Sequence, residues 1–347
     1  MPLNIIRSYS VFYRLCLVFL AVQLASCSVY DWGRDPKVSV AAPEGYSLDT
    51  GDGVAGYQGP WWETFKRPAL DKMVLESLEK NYDVAAAVAV MKQAQAVVTR
   101  TASDRYPMID LEGNYNKDWE GSDEQRASGD IGAALSWEAD LWGRIGNAAE
   151  ADRFEAIARA EDLYALRLSL SAEVAEAYFG AVAQHQRLSL LQEQLKLDRD
   201  LLNILDLRLE NGVGTRVDVL QQSARVADSE TLIPRAQSDL AVFENRLDVL
   251  LGQAPDGRTR VSAEDDLSFM AQLPEIGVPA GLLLNRPDLR AAQAELVAAD
   301  ADIAAAIADR YPRIMLDASY VYTDGAAYSG PVAAIMGMFI QPLLDWG

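Results

Sequence analysis

The tetrapeptide Asp104-Arg105-Tyr106-Pro107 occurs a second time in the chain as Asp309-Arg310-Tyr311-Pro312. Each copy is followed by apolar residues in the same register: Ile109, Leu111 and Tyr115 after the first, and Ile314, Leu316 and Tyr320 after the second. A further motif, Asp140-Leu141-Trp142-Gly143, returns in shortened form as Asp345-Trp346-Gly347. Motifs that recur in one order over a long period indicate an internally duplicated fold.

The segment after the first tetrapeptide alternates between apolar and polar residues. Asp110, Glu112, Asn114 and Asn116 separate its apolar positions, and the alternation resumes at Ile131, Ala133, Leu135 and Trp137. Apolar residues at every second position in two neighbouring segments predict two β-strands joined as a hairpin. Strands of about nine or ten residues are long enough to cross a bilayer as tilted barrel strands, although a half-buried hairpin of a soluble protein has the same alternation.

The next segment, Ile145 to Glu210, contains no proline, and its apolar residues recur at steps of three and four. This spacing predicts a helix of roughly 100 Å with a coiled-coil-like seam. The sequence Asn211-Gly212-Val213-Gly214-Thr215 ends that helix, and a second helix is predicted from about Arg216 to Leu251. The glycines permit a tight reversal and Thr215 can cap the new helix, so a helical hairpin with this loop as its tip is expected.

The amino terminus has the features of a lipoprotein signal. Arg7 and Arg14 precede a short apolar run, which ends at Leu24-Ala25-Ser26-Cys27. The run is too short for a stable transmembrane helix, so it predicts export and cleavage before Cys27. The thiol of Cys27 would then carry a covalent lipid, and no other cofactor is predicted.

The composition excludes several classes of function. A formal net charge of −20 argues against nucleic-acid binding. Cys16 lies in the segment to be removed, so the mature chain can form neither an internal disulfide nor a cysteine-rich metal site. The single histidine, His185, lies in a helical pattern and predicts a helix-surface or interface role. Asp198 and Asp200 lie on the same long helix without a pocket signature, so we predict no catalytic or metal residues and no enzyme.

These features divide the chain into four parts. The predicted organisation is a signal peptide at 1–26, a lipid-anchored tether at 27–60, a first repeat at 61–280 with a strand hairpin at 108–138 and a helical hairpin at 145–251, and the start of a second repeat at 281–347 with a strand hairpin at 313–342. By analogy with the first repeat, a second helical hairpin is expected beyond Gly347, so the second repeat is expected to be truncated.

The sequence resembles the TolC-like outer-membrane factor family, in its lipoprotein (NodT-type) branch. The resemblance covers essentially the whole chain. Its motifs are Cys27, Trp61-Trp62 with Phe65, Tyr106-Pro107, Asp140-Leu141-Trp142-Gly143-Arg144, Gly212-Val213-Gly214-Thr215 with Asp218-Val219-Leu220, Leu250-Leu251-Gly252, and Arg286-Pro287-Asp288-Leu289.

The resemblance implies an α+β membrane protein: a homotrimer with one shared outer-membrane β-barrel and long periplasmic α-helical hairpins that form an α-barrel. It implies a passive conduit for drugs or other small molecules, fed by a periplasmic adaptor and an inner-membrane pump of the RND type. Outer-membrane lipid would surround the barrel. Gly212, Val213, Gly214 and Thr215 match the family's adaptor-contacting tip, and the gate residues are expected beyond Gly347.

A lipid-anchored periplasmic coiled-coil adaptor is the alternative function. Such a protein would share the lipid anchor and a helical hairpin. It would have a single hairpin flanked by compact β-domains and no repeated strand pairs. The duplicated Tyr-Pro strand hairpin therefore favours the channel.

Overall fold

The computed structural model of the chain describes residues 59–120, 124–262, 265, 267, 285–325 and 328–343. The predicted signal, Cys27 and most of the predicted tether lie outside these residues. The described chain forms two compact units. We call the described parts of Val90–Ala160 and Arg290–Gly347 the sheet unit, and those of Ala41–Ala89 and Glu161–Leu289 the helical unit.

The helices and strands follow one another in the order that the repeat predicts. They are a short 3₁₀ helix at Trp61–Phe65, α1 at Pro68–Lys80, α2 at Tyr82–Ser103, β1 at Met108–Glu120, β2 at Glu124–Glu138, α3 at Arg144–Glu210, α4 at Arg216–Leu250, α5 at Pro287–Ala308, β3 at Arg313–Asp324 and β4 at Ser329–Ile340. The 67-residue α3 begins in the sheet unit and ends in the helical unit.

The four strands form one antiparallel sheet in the order β1-β2-β3-β4. The β1–β2 hairpin of the first repeat and the β3–β4 hairpin of the second are therefore joined by pairing between β2 and β3. One row across the sheet runs Ile109, Leu135, Ala318, Ile335, and the next runs Asp110, Ala134, Ser319, Ala334. Because successive residues of a strand point to opposite sides, the first row lies on one face and the second on the other.

Small residues line the helices of the sheet unit. The buried side of α5 is formed almost entirely by alanine: Ala291, Ala294, Ala298, Ala301, Ala304 and Ala308, with Val297. Ala149, Ala151 and Ala158 are likewise buried on α3. Side chains this short let helix axes approach closely, which explains the alanine-rich composition of this segment.

The helical unit buries a leucine, valine and alanine seam between α3 and α4. Leu170, Val174, Ala177, Ala181 and Leu195 are buried on α3, as the predicted seam requires. On α4, Val226, Ala236 and Leu247 are buried. This unit therefore has a core of its own.

The first helices are tied to this core by hydrogen bonds. The Ser77 hydroxyl and the Asn81 amide both donate to the Leu250 carbonyl at the end of α4, at 2.9 and 3.1 Å. Trp61 donates its ring N–H to the Ser171 hydroxyl at 3.0 Å. These bonds satisfy buried polar groups that would otherwise be costly to bury.

Within the described part of the chain, no helix combines the length and the apolar character that crossing a membrane requires.

Candidate functional site: the hairpin tip and the two faces of the sheet

The loop between α3 and α4 is a tight reversal held by main-chain hydrogen bonds. The Gly212 N–H donates to the Leu209 carbonyl at 3.0 Å, and the Val213 N–H donates to the Arg208 carbonyl at 2.9 Å. Gly212 has a φ of 74°, which an L side chain rarely adopts. These bonds cap the last carbonyls of α3, and glycine makes the left-handed turn possible.

Gly214 is required for a different reason. A Cβ at this position would lie 2.9 Å from the Leu209 backbone nitrogen. The chain at Gly214 thus passes against the backbone of α3, and a side chain there would push the loop outward. The two glycines of the tip therefore have distinct roles. Gly212 allows a left-handed backbone angle, and Gly214 allows the loop to pass close to the backbone of α3.

Thr215 caps α4 as the sequence predicts. Its hydroxyl accepts from the Asp218 N–H at 3.2 Å, while the Asp218 carboxylate accepts from the Thr215 N–H at 3.3 Å. This reciprocal capping box satisfies two amides at the helix start. The tip is consequently a defined structure rather than a loose connection.

Apolar side chains project from this rigid turn into solvent. Val213, Val217 and Leu220 each have more than 60% of their surface exposed. We call these three residues the tip surface. Exposed apolar residues continue on α3, where Leu197 and Leu207 are more than half exposed. Clustered exposed apolar residues are typical of a protein-binding surface.

Below the tip, polar contacts fix α3 against α4. The Asp198 carboxylate accepts from the Ser229 hydroxyl at 2.8 Å and from the Gln222 amide at 3.2 Å. Arg199 pairs with Glu230 at 2.6 Å. Asp198 thus joins the two helices of the hairpin, a role that its sequence position alone did not indicate.

The two faces of the sheet differ sharply in chemistry. We call one side the apolar face. It consists, across all four strands, of Ile109, Leu111, Gly113, Ile131, Ala133, Leu135, Ala318, Tyr320, Tyr322, Pro331, Ala333 and Ile335. Many of these large side chains are exposed, including Leu111 at 80% and Ile335 at 81%. A water-facing sheet surface would not carry rows of this kind.

The opposite side is the polar face. On β1, β2 and β3 it carries Asp110, Glu112, Asn114, Asp130, Ser136, Asp317, Ser319 and Thr323 together with Met108, Gly132, Ala134 and Val321, while β4 adds Gly330, Val332, Ala334 and Met336. Asp110, Glu112, Asp317 and Ser319 line a shallow groove on it. The carboxylates give this face a negative charge, which suits contact with water.

The two repeats meet at a junction that sequence reasoning missed. The Trp142 ring stacks on the Tyr311 ring with 5.2 Å between centroids, and its N–H donates to the Pro312 carbonyl at 2.7 Å. Both motifs stood out in the sequence as repeat markers. The sequence alone did not show that Trp142, in the first copy of the Trp-Gly motif, contacts Tyr311, in the second copy of the Tyr-Pro motif.

Asp140 and Arg144 secure the start of α3 beside this junction. The Asp140 carboxylate accepts from the Ile145 and Gly146 N–H groups at 3.1 and 2.7 Å. Arg144 forms a bidentate pair with Glu138 at 2.8 and 3.1 Å. The hydrogen bond to Glu138 raises the pKa of the Arg144 guanidinium above its ordinary value, despite partial burial. The motif therefore caps a helix as well as marking a repeat.

A buried charged network holds the start of the connection after α4. Arg260 pairs with the fully buried Asp248 at 2.6 Å, and the Arg260 N–H donates to the Glu244 carboxylate at 2.7 Å. His185 lies at the α3–α4 interface, with its Nε2 atom 3.6 Å from Glu244. The sequence predicted that His185 lies either on a helix surface or at a helix interface, and the structure places it at the interface.

Tyr178 ties one further point of this connection to α3. Its hydroxyl donates to the Asp265 carboxylate at 2.8 Å. Burial first, and the bond to Asp265 second, raise the pKa of the Tyr178 phenol above its ordinary value. The phenol therefore stays a hydrogen-bond donor across the physiological pH range.

The remaining predicted site residue, Cys27, lies outside the described residues. Among the residues that are described, no three His, Cys, Asp or Glu side chains come together as metal ligands would.

Comparison with known proteins identifies the family. The model of the outer membrane efflux protein family matches residues 74–253 and 278–347. The pyoverdine export outer membrane protein OpmQ of Pseudomonas putida is 27% identical over 355 residues, covering 96% of this chain and 73% of the relative. The probable outer membrane lipoprotein SilC of Salmonella typhimurium is 29% identical over 281 residues, covering 79% of this chain and 60% of the relative.

A solved structure agrees with this match. The outer-membrane channel OprN is similar with a TM-score of 0.78 and 27% identity, over 91% of this chain and 73% of that one. This likeness confirms the predicted channel fold, and the family match supports an efflux channel rather than the adaptor alternative. On these grounds the chain belongs to the family of outer membrane efflux proteins.

Proposed function

We propose that the chain is a subunit of an outer-membrane duct through which an efflux assembly exports small molecules. The observation that carries this proposal is the sheet, whose two hairpins combine one apolar face with one polar, acidic face. Lipid on one side and water on the other is the environment that such a sheet requires. The duct is proposed to conduct passively, with the energy supplied by the pump of the assembly.

A closed wall needs more than one copy of the chain. Within the described sheet, β1 and β4 are edge strands. Lipid cannot satisfy the hydrogen-bonding groups of an open edge, so other copies must supply neighbouring strands. Three copies, as the family resemblance implies, would close the wall.

The tip surface is proposed to dock a periplasmic adaptor, which links the duct to an inner-membrane pump of the RND type. The support is the combination of a rigid turn at Gly212, Gly214 and Thr215 with the exposed Val213. A pre-organised apolar surface loses little conformational entropy on binding.

Cys27 is proposed to carry the lipid that anchors the amino terminus to the outer membrane. The sequence around it has the signal features described above, and the similar protein SilC is named an outer membrane lipoprotein. Mass spectrometry of the membrane-extracted protein should find a lipidated Cys27 as the first residue. An unmodified thiol, or a mature chain that starts elsewhere, would refute this anchor.

The function can be tested in a strain from which the gene has been deleted. Restoring the gene should raise resistance to exported compounds, whereas the Val213→Asp variant should not, because a charge replaces an apolar contact at the docking surface. Gly212→Asn serves as the control, since asparagine tolerates the left-handed angle. Its resistance should match that of the wild type.

The two parts of the proposal fail differently in this test. Full resistance with Val213→Asp would show that the tip surface does not dock a partner. A wild-type protein that is absent from the outer membrane and gives no resistance would refute the duct itself.

A further inference from the structure

Methionine is distributed unevenly over the two faces of the sheet. Four of the chain's eight methionines lie on its strands: Met108, Met315, Met336 and Met338. Within the described strands, the register places all four on the polar face and none on the apolar face. Residues recruited only for their apolar character would be expected on the face that contacts lipid, so the sulfur atoms of these residues deserve a separate explanation.

Three of these methionines are neighbours on the sheet. Met315 on β3 is directly opposite Met338 on β4, and Met336 lies two residues from Met338 on the same face. Residues opposite each other on adjacent strands have Cβ atoms about 5 Å apart, and alternate residues of one strand are roughly 7 Å apart. We call Met315, Met336 and Met338 the methionine cluster.

A carboxylate lies beside the methionine cluster. Asp317 is directly opposite Met336, and both residues line the shallow groove on the polar face, together with Asp110 and Glu112. Met336 is 53% exposed, so its side chain is accessible from this groove. Carboxylates around neutral sulfur ligands attract cations to the cluster and repel anions from it.

The thioether of methionine is a soft ligand, and soft ligands select soft ions such as Cu(I). The methionine side chain has three rotatable bonds, so sulfur atoms from neighbouring positions can turn toward one ion. Hard ions such as Mg²⁺ prefer oxygen ligands and gain nothing from sulfur. A thioether also has no proton to lose, so it can bind a metal ion without the deprotonation that a thiol requires.

We infer that the methionine cluster binds a soft monovalent metal ion, Cu(I) or Ag(I), through its thioether sulfurs, and that Asp317 supplies the compensating negative charge. The consequence of this site rests on the proposed function: if the polar face lines a duct, soft metal ions meet a binding site on the wall along which they are exported. The binding itself is a property of the sheet and can be measured on the purified protein.

Nuclear magnetic resonance of methionine methyl groups tests the site. The full chain, labelled with ¹³C in these methyl groups, is titrated with silver nitrate in chloride-free buffer. The resonances of Met315, Met336 and Met338 should shift together and saturate at a single Ag(I) per chain. Met108 is the matched control, because it lies in the same row of the polar face as Met336 but at the opposite edge of the sheet, three strand spacings or about 14 Å away. Its resonance should not move.

Leucine variants separate sulfur from apolar volume. Met338→Leu keeps a side chain of similar size and removes the thioether. In this variant the resonances of Met315 and Met336 should no longer saturate at a single equivalent of Ag(I), whereas Met108→Leu should leave the titration of the cluster unchanged. The same variants assign each resonance to its residue.

Three results would overturn the metal site. Shifts of Met108 that match those of the cluster would mean that Ag(I) binds any accessible thioether, and an absence of shifts would mean that no site exists. Loss of the Ag(I) shifts on addition of excess Mg²⁺ would show that the carboxylates of the groove, rather than the sulfurs, hold the ion.

Growth tests distinguish failure of this site from failure of the proposed duct. In the deletion strain, the wild-type gene should raise tolerance to silver ions, and a gene carrying Met315→Leu, Met336→Leu and Met338→Leu should raise it less. Equal silver tolerance of these two strains would overturn a role of the site in export. A wild-type gene that raises neither silver tolerance nor resistance to organic compounds would overturn the duct, while the titration would still decide whether the metal site exists.

Discussion

The sheet unit and the helical unit differ in what covers their apolar side chains. In the helical unit Leu70, Val74 and Leu247 are fully buried in a core of its own, although the tip surface is exposed. In the sheet unit, side chains such as Leu111 and Ile335 are almost entirely exposed. The first unit is stabilised by its own core, whereas the second presents a surface that water does not favour.

Mutations in the two units should therefore have different effects, one on localisation and the other on stability. Changes to the apolar face should affect where the protein resides and leave the helical core intact. Changes to the helical core should lower stability in any environment.

The largest effect is expected for Ile131→Lys, on the inner strand β2 of the apolar face. A lysine at this position would cost about 2–4 kcal/mol if the face contacts lipid, and the variant should be depleted from the outer membrane. The neighbouring Asp130→Lys lies on the polar face and should insert normally. Membrane fractionation and immunoblotting measure both, and equal depletion of the two variants would contradict the assignment of faces.

In the helical unit, Gly252→Ala should be strongly destabilising. Gly252 has a φ of 73°, and a Cβ there would lie 2.4 Å from the Lys80 carbonyl oxygen. The combined backbone strain and clash should cost about 3 kcal/mol. Gly257→Ala is the matched control, because its φ is 72° with no atom near the added carbon. Denaturant unfolding should show a loss of only about 1 kcal/mol for the control; similar losses in both would mean that the Lys80 contact is unimportant.

A smaller and local effect is expected for Thr215→Ala, which removes the cap of α4. The loss should be about 1 kcal/mol and should speed amide hydrogen exchange in the first turn of that helix. Thr231→Ala, in the exposed middle of α4, should leave this exchange unchanged. Unaltered exchange at the tip in Thr215→Ala would show that the turn is held by its glycines alone.

The smallest effect concerns Asp302 in α5. Partial burial first, and then the charges of Asp152 and Glu155, raise the pKa of the Asp302 carboxyl above its ordinary value. A raised pKa means that this group favours folding when protonated, and the benefit is lost as the pH rises through the raised value. Asp302→Asn should therefore raise Tm at pH 7 by roughly 1–2 °C, with a smaller gain at pH 4. Melting curves at the two pH values test this, and a gain that grows on acidification would contradict the sign.

Local patterns in the sequence accounted for much of the fold. The alternation after Pro107 placed β1 and β2, and the repeated tetrapeptide placed β3 and β4. The glycines and Thr215 predicted the turn and the cap at the tip. Each of these features depends on residues close together in the chain, which is why a single sequence could reveal them.

Contacts between distant residues could not be predicted in this way. The Trp142 contact with Tyr311 depends on β2 pairing with β3, and an alternating pattern does not state which strands pair. Likewise, Asp198 lies on a helix whose partner had been predicted, but the rotation of that helix decides whether the carboxylate meets Ser229. These contacts require the three-dimensional register.

The most direct test of a wall with lipid on one side and water on the other is the reactivity of single cysteines at adjacent positions on β2. Asp130→Cys and Ile131→Cys are expressed separately, and outer membranes are treated with a water-soluble maleimide that does not enter lipid. The cysteine at position 130 should be labelled, whereas the one at position 131 should be labelled only after detergent has removed the lipid. Equal labelling of both cysteines in intact membranes would contradict this arrangement.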